Sequence, residues 1–131
     1  MATAFGTVLR RLREGRGLSL REVSQLAEVD HAYVHRLETG AKEAPSDDAL
    51  TRIFRALKPT KRQEHVLRFL VGRDVALDLV DVAVIDDAEI ALEDFESVAQ
   101  MSFRGKKPGS VDEWRILISK VRKIREDLER G

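Results

Sequence analysis

Leu18-Ser19-Leu20-Arg21-Glu22-Val23-Ser24-Gln25-Leu26-Ala27-Glu28-Val29-Asp30-His31-Ala32-Tyr33-Val34-His35-Arg36-Leu37-Glu38-Thr39-Gly40 encodes two short helices joined by a tight turn. Ser19 followed by Glu22 has the spacing of a capping box, in which hydroxyl and carboxylate each satisfy an orphan backbone donor at a helix start. Asp30 supplies a second N-cap. Val23, Leu26 and Ala27 on the first helix, and Val34 and Leu37 on the second, recur at helical spacing, so each helix buries one stripe. Gly40 ends the second helix.

Burial of Val34 and Leu37 leaves His31, Ala32, His35 and Arg36 together on the outward face of that second helix. A helix face carrying donors of this kind suits the major groove of duplex DNA, where base edges present distinct hydrogen-bonding patterns.

Working outward, further helices are expected at Ala4–Glu14, Asp47–Leu57 and Lys61–Val71, which with Leu20–Ala27 and His31–Glu38 make five. Gly15 and Gly17 stop the first and Pro59 follows the fourth. Ser46 caps the fourth, and Thr60 with Gln63 forms a capping box for the fifth. Gly72 to Asp87 reads as a short helix, Val75–Val80, followed by an extended connection, because a lone strand over 81–85 has no partner. The next helix is expected over Ala88–Met101, with Ala91, Phe95, Val98, Leu92 and Met101 as candidates for its buried face. Two glycines and a proline make 102–109 an exposed basic loop. Ser110 with Glu113 then opens the last helix as another capping box.

Along that last helix Trp114, Leu117, Val121, Ile124 and Leu128 step by three and four residues, the seam of a coiled coil. Such a seam seeks another helical surface, and homodimerisation through residues 72–131 is the economical answer. Packing within one chain against Phe95 and Val98 is the alternative. The chain is therefore expected to be all-α: a five-helix DNA-binding domain over 1–71, followed by a small helical dimerisation domain over 72–131. Two-fold pairing would present two reading helices to half-sites one turn of DNA apart, ~34 Å.

Composition agrees with this and excludes other classes. The chain has 131 residues, 43% hydrophobic and 5% aromatic, enough for a core built of Leu, Ile, Val and Ala. It contains no cysteine, so it has neither a disulfide framework nor a thiolate metal site. No run approaches a bilayer span or a signal peptide, and a soluble, cytoplasmic protein without membrane contact is expected. The net charge of zero conceals segregation. Residues 1–71 hold 13 basic and 9 acidic side chains, 72–101 hold 1 and 9, and 102–131 hold 9 and 5. The acidic middle segment either keeps a linker solvated or faces a basic partner or the basic last helix. No acid–base constellation, nucleophile motif or phosphate loop points to an enzyme, and no cofactor is implied. His31 and His35 lack a third ligand for a metal.

Residues 5–57 resemble the Cro/C1-type helix-turn-helix of the XRE family, including Leu9-Arg10-Arg11-Leu12-Arg13 and Leu37-Glu38-Thr39-Gly40. Three positions depart from it: Leu20 replaces a phosphate-binding Gln, Ser24 a small Ala, and Glu28 the glycine of the turn. The resemblance implies base contacts from His31, Ala32 and Arg36, with His35 adjacent. Arg36 suits guanine and Ala32 a thymine methyl. Tyr33 either reaches a phosphate or packs on its helix. Lys42, Ser46, the turn at Gly40 and Arg21 are the phosphate candidates, and Arg13 with Glu38 is expected to form a partly buried ion pair.

The tail Phe103-Arg104-Gly105-Lys106-Lys107-Pro108, Asp112-Glu113-Trp114 and Val121-Arg122-Lys123-Ile124 is similar to the C-terminal domain of DdrO-type DNA-damage-response repressors and ImmR-type immunity repressors of mobile elements. That similarity implies a repressor inactivated by a partner zinc metalloprotease of the IrrE/ImmA type, cutting at or near Phe103-Arg104 and removing the Trp114 helix. An XRE-type antitoxin, binding a toxin through its C-terminal half and regulating its own operon, is the competing expectation.

Overall fold

Capping signals local to the sequence set most helix starts. A computed structural model of the chain describes residues 3–41, 45–83 and 90–131. All the regular elements among them are helical: α1 (Ala4–Gly15), α2 (Leu20–Ala27), α3 (His31–Thr39), α4 (Asp47–Leu57), α5 (Lys61–Leu70), α6 (Leu77–Asp81), α7 (Leu92–Ala99) and α8 (Val111–Arg130). The fold is all-α, divided into two compact units, Met1–Asp74 and Val75–Gly131.

In the first unit, Glu22 N–H donates to Ser19 Oγ at 3.1 Å while Ser19 N–H donates to Glu22 Oε1 at 3.0 Å, completing the expected box. Thr60 and Gln63 do the same for α5 at 2.9 and 3.1 Å. Ser46 caps α4 by accepting from Ala49 N–H at 3.2 Å. The helices of this unit consequently lie within a residue of their expected ends. Helix α1 packs on α3 and α5, and α2 packs on α3 and α4. Leu9, Val23, Val34, Leu37, Ile53 and Leu67 are fully buried between them.

One approach in this unit is unusually close. A Cβ built on Gly6 of α1 would stand 2.5 Å from the carbonyl oxygens of both Leu37 and Glu38. Only a residue without a side chain lets α1 and α3 meet there.

The second unit departs further from expectation. The sixth helix runs over Leu77–Asp81 in place of Val75–Val80, and Val82 and Ala83 do not begin an extended connection. Val82 keeps helical dihedrals (φ −60°, ψ −41°), and Val82 and Ala83 are both fully buried. Burial of these two apolar side chains against the rest of the unit keeps the chain helical past Asp81, where an extended connection was expected. The rest of that connection and the expected start of the next helix at Ala88 lie outside the described residues. Helix α7 covers Leu92–Ala99 and ends before Met101, which leaves the helical stripe and is 39% exposed. Phe95 and Val98 are buried as expected.

Helix α8 packs on α6 and α7, burying Trp114 and Ile118. Its start is capped differently from the expected box. Ser110 Oγ accepts from Glu113 N–H, but Glu113 Oε2 accepts from Gly109 N–H at 2.9 Å and not from Ser110. The carboxylate therefore ties down the preceding loop as well as the helix.

Candidate nucleic-acid interface

The turn that presents α3 is built by three groups the sequence reading underrated. Glu28 closes α2 in the left-handed region, at φ 55° and ψ 44°, a conformation that is costly for most residues other than glycine, asparagine and aspartate. Ser24 Oγ donates to the Val29 carbonyl across the turn, so the serine does more than preserve packing. Arg52 of α4 donates to the Glu28 carbonyl at 3.3 Å and also pairs with Asp48 at 3.1 Å. Helix α4 thus braces the turn from behind.

Asp30 then starts α3, its carboxylate accepting from Ala32 N–H at 3.2 Å. Beyond it, Val34 and Leu37 point into the core, each 1% exposed, while His31, His35 and Arg36 are exposed and Ala32 and Tyr33 half-buried. His31 Nδ1 lies 3.6 Å from Asp30 Oδ1. Among the described residues the Arg36 guanidinium has no ion-pair partner, so its planar fork faces outward with its donors free for a base edge or phosphate. Gly40 ends the helix at φ 84°.

A shallow groove of about 380 Å³ runs from the start of α3 to the start of α4, lined by Val29, Asp30, Tyr33, Arg36, Ser46 and Ala49. It brings Tyr33, Arg36 and Ser46 together. Ser46 Oγ is occupied as an acceptor by the cap, which leaves its hydroxyl proton to donate to a phosphate oxygen. Asp47 and Asp48 in the same first turn oppose an anion there, a feature not weighed at the level of sequence. Of the remaining candidates, Arg21 is exposed on α2, and Lys42 lies outside the described residues.

Helix α3 is held by a buried ion pair. Arg13 of α1 meets Glu38 in a bidentate contact, Nε to Oε2 at 2.7 Å and Nη2 to Oε1 at 2.9 Å, with Glu38 4% exposed. Hydrogen bonding to Glu38 raises the Arg13 pKa further above its ordinary value, and Nη1 also donates to the Leu18 carbonyl at 2.9 Å. One guanidinium therefore fixes the end of α3 and the entrance to α2. The expected pair is present.

The candidates of the second unit fall into two groups. Trp114 is 1% exposed inside its own unit, whereas Ile124 is 60% and Leu128 76% exposed, and Leu117 and Val121 are half-buried. The loop 102–109 is irregular, with Arg104, Gly105, Lys106 and Lys107 exposed. Phe103 stands edge-on to Trp114 at 5.9 Å between ring centroids, and Lys107 Nζ lies 5.9 Å from the same ring. Packing of α8 on α7 within one chain, one of the two alternatives the sequence left open, is observed, but the ion pair that ties the two helices together was not foreseen. Arg125 grips Asp94, which is 1% exposed, at 2.8 and 3.2 Å, and also meets Glu93 and Glu129, each at 3.3 Å. Hydrogen bonding to Asp94 is the main cause that raises the Arg125 pKa.

An outward reading helix, braced by a second helix behind a tight turn, defines a helix-turn-helix unit of the kind carried by DNA-binding regulators. The family model described as a helix-turn-helix domain matches residues 4–67, which supports a DNA-binding regulator of the XRE-like kind. No curated protein matches the chain. Among the described residues no helix is long and apolar enough to cross a membrane.

Proposed function

We propose that this protein is a sequence-specific transcriptional repressor that binds a palindromic operator as a homodimer and is inactivated by proteolysis near Phe103-Arg104. The observation that carries the DNA-binding part is the α3 surface. His31, His35 and Arg36 stand exposed on a helix whose opposite face is locked into the core. In this reading Arg36 takes a guanine edge, Ala32 contacts a thymine methyl, and Ser46 and Arg21 touch phosphates. It acts by binding, not by catalysis.

Dimerisation is supported by the exposure of Ile124 and Leu128 along one side of α8, large apolar side chains that water alone would cover. Proteolysis is supported by the exposed residues 104–107 and by what a cut there would undo. Loss of α8 would remove the helix that packs on α6 and α7, together with the guanidinium that pairs with Asp94. The avidity contributed by a second half-site would vanish with the dimer. The similarity of the tail to damage-response and immunity repressors suggests an IrrE/ImmA-type metalloprotease as the agent and stress or mobile-element genes as the targets.

Selection from random duplexes at several salt concentrations tests the reading. A palindromic consensus is expected, and Arg36→Ala should lose about 1–3 kcal/mol of discrimination at one base pair per half-site. Equal binding to all duplexes at every salt concentration would sink it. A chain ending at Phe103 should be monomeric and bind the operator far more weakly.

A further inference from the structure

We infer that two copies of this chain pair their α8 helices antiparallel, in the register that sets Leu117 against Leu128 of the partner subunit and Val121 against Ile124 of the partner subunit. This inference rests on the homodimer proposed above and specifies its geometry. At about 100° per residue, Leu117, Val121, Ile124 and Leu128 fall within about 60° of one another, beside the stripe that Trp114 and Ile118 bury in their own unit. Since Trp114 is already covered, the open stripe is these four residues, symmetric about the bond between Arg122 and Lys123. A closed pair of identical chains carries a two-fold axis. An axis across that midpoint brings all four positions into opposition twice.

Charge on the flanks selects this orientation over a parallel one. Lys120 and Asp127 lie on the flank of the stripe away from Trp114, about 20° apart around the helix and near its opposite ends. Both are exposed, and among the described residues neither side chain has an ion-pair partner, although Arg122, Arg125 and Arg68 are all paired. In an antiparallel pair like flanks meet, so Lys120 faces Asp127 of the partner subunit and the same contact recurs across the axis. In a parallel pair this flank meets the other one, and Lys120 would face Arg125 of the partner subunit. Arg125 is already bound by Asp94, Glu93 and Glu129, so a parallel pair lacks the two Lys120–Asp127 contacts that the antiparallel pair makes.

Sedimentation equilibrium on the full chain tests the register. Lys120→Glu and Asp127→Lys should each raise the dimer dissociation constant about tenfold, by turning two attractive contacts into repulsive ones. The double variant should return to within about threefold of the unaltered chain, and a mixture of the two single variants should form heterodimers preferentially. Unchanged association of both single variants, or tighter association of Lys120→Glu, would overturn the register. The chain has no cysteine, so single-cysteine variants provide a second readout. In the inferred pair two copies of residue 117 are about 16 Å apart along the helix, beyond disulfide reach. Leu117→Cys mixed with Leu128→Cys should cross-link, and neither should cross-link alone. Self-linkage of Leu117→Cys overturns the register while leaving the dimer standing, whereas an unaltered chain that stays monomeric removes the dimer itself.

Discussion

Each unit buries one carboxylate against one guanidinium, Glu38 with Arg13 in the first and Asp94 with Arg125 in the second, yet they treat their remaining apolar surface oppositely. Among large apolar side chains the first unit exposes only Leu26, within its described residues. The second exposes Met101, Ile116, Ile124 and Leu128. A unit that positions a reading helix must be rigid alone, and its helices close on one another. In the proposed dimer, the second unit keeps part of its apolar surface for another chain.

The ion pairs give the largest expected effect. Arg13→Ala strands Glu38 at 4% exposure, and breaking a buried pair in this way should cost about 3–5 kcal/mol in urea unfolding. Replacing both, Arg13→Met with Glu38→Leu, should cost much less, because no lone buried charge remains. Asp94→Ala should be milder than Glu38→Ala. It releases a guanidinium that is 26% exposed and retains Glu93 and Glu129, whereas Arg13 is 13% exposed and keeps only the Leu18 carbonyl as a close acceptor. Equal losses for the two carboxylate variants would break the contrast between a closed unit and an open one.

What was legible in the sequence follows the same division. In the first unit the caps act over three residues and the glycine stops over one, so local chemistry dictated the helices and the exposed face of α3. In the second unit the decisive contacts are remote. Asp94 lies 31 residues from Arg125, and nothing near either marks them as partners. Trp114 fits the seam spacing as well as Leu117 does, because adjacent stripes on one helix share nearly the same period. Only α6 and α7 packing on α8 settles which stripe faces inward. The same remoteness hid Gly6, whose neighbours are carbonyls of α3.

Gly6 gives the next effect. Gly6→Ala places a methyl 2.5 Å from two carbonyl oxygens and should destabilise the first unit by about 1–3 kcal/mol, because helix backbones cannot give way as a flexible side chain does. Gly109→Ala in the second unit meets nothing within 4 Å and should stay within about 0.5 kcal/mol. Thermal unfolding of the two variants measures how differently the units are packed. A smaller effect is expected at Glu28, where relief of the φ 55° conformation by Glu28→Asn should stabilise by up to ~1 kcal/mol. Glu28→Gly should gain less, since glycine also loosens the unfolded chain.

The smallest effect separates two helix starts inside the first unit. Hydrogen bonds with the Ser19 backbone N–H and hydroxyl lower the pKa of Glu22 in the folded chain below the ordinary carboxylate value. A depressed folded pKa means that its stabilisation is fully present above the unfolded value and is lost as pH falls through the folded one. Glu22→Gln should keep the box, as Gln63 does for α5, and remove that acid sensitivity. The stability difference between variant and unaltered chain should therefore be constant near neutrality and shift in favour of the variant through the acidic carboxylate range. Urea midpoints across a pH series measure it. A difference that does not change with pH would mean that the Glu22 carboxylate contributes nothing as an anion and serves only as a hydrogen-bond acceptor, the role Gln63 fills without charge.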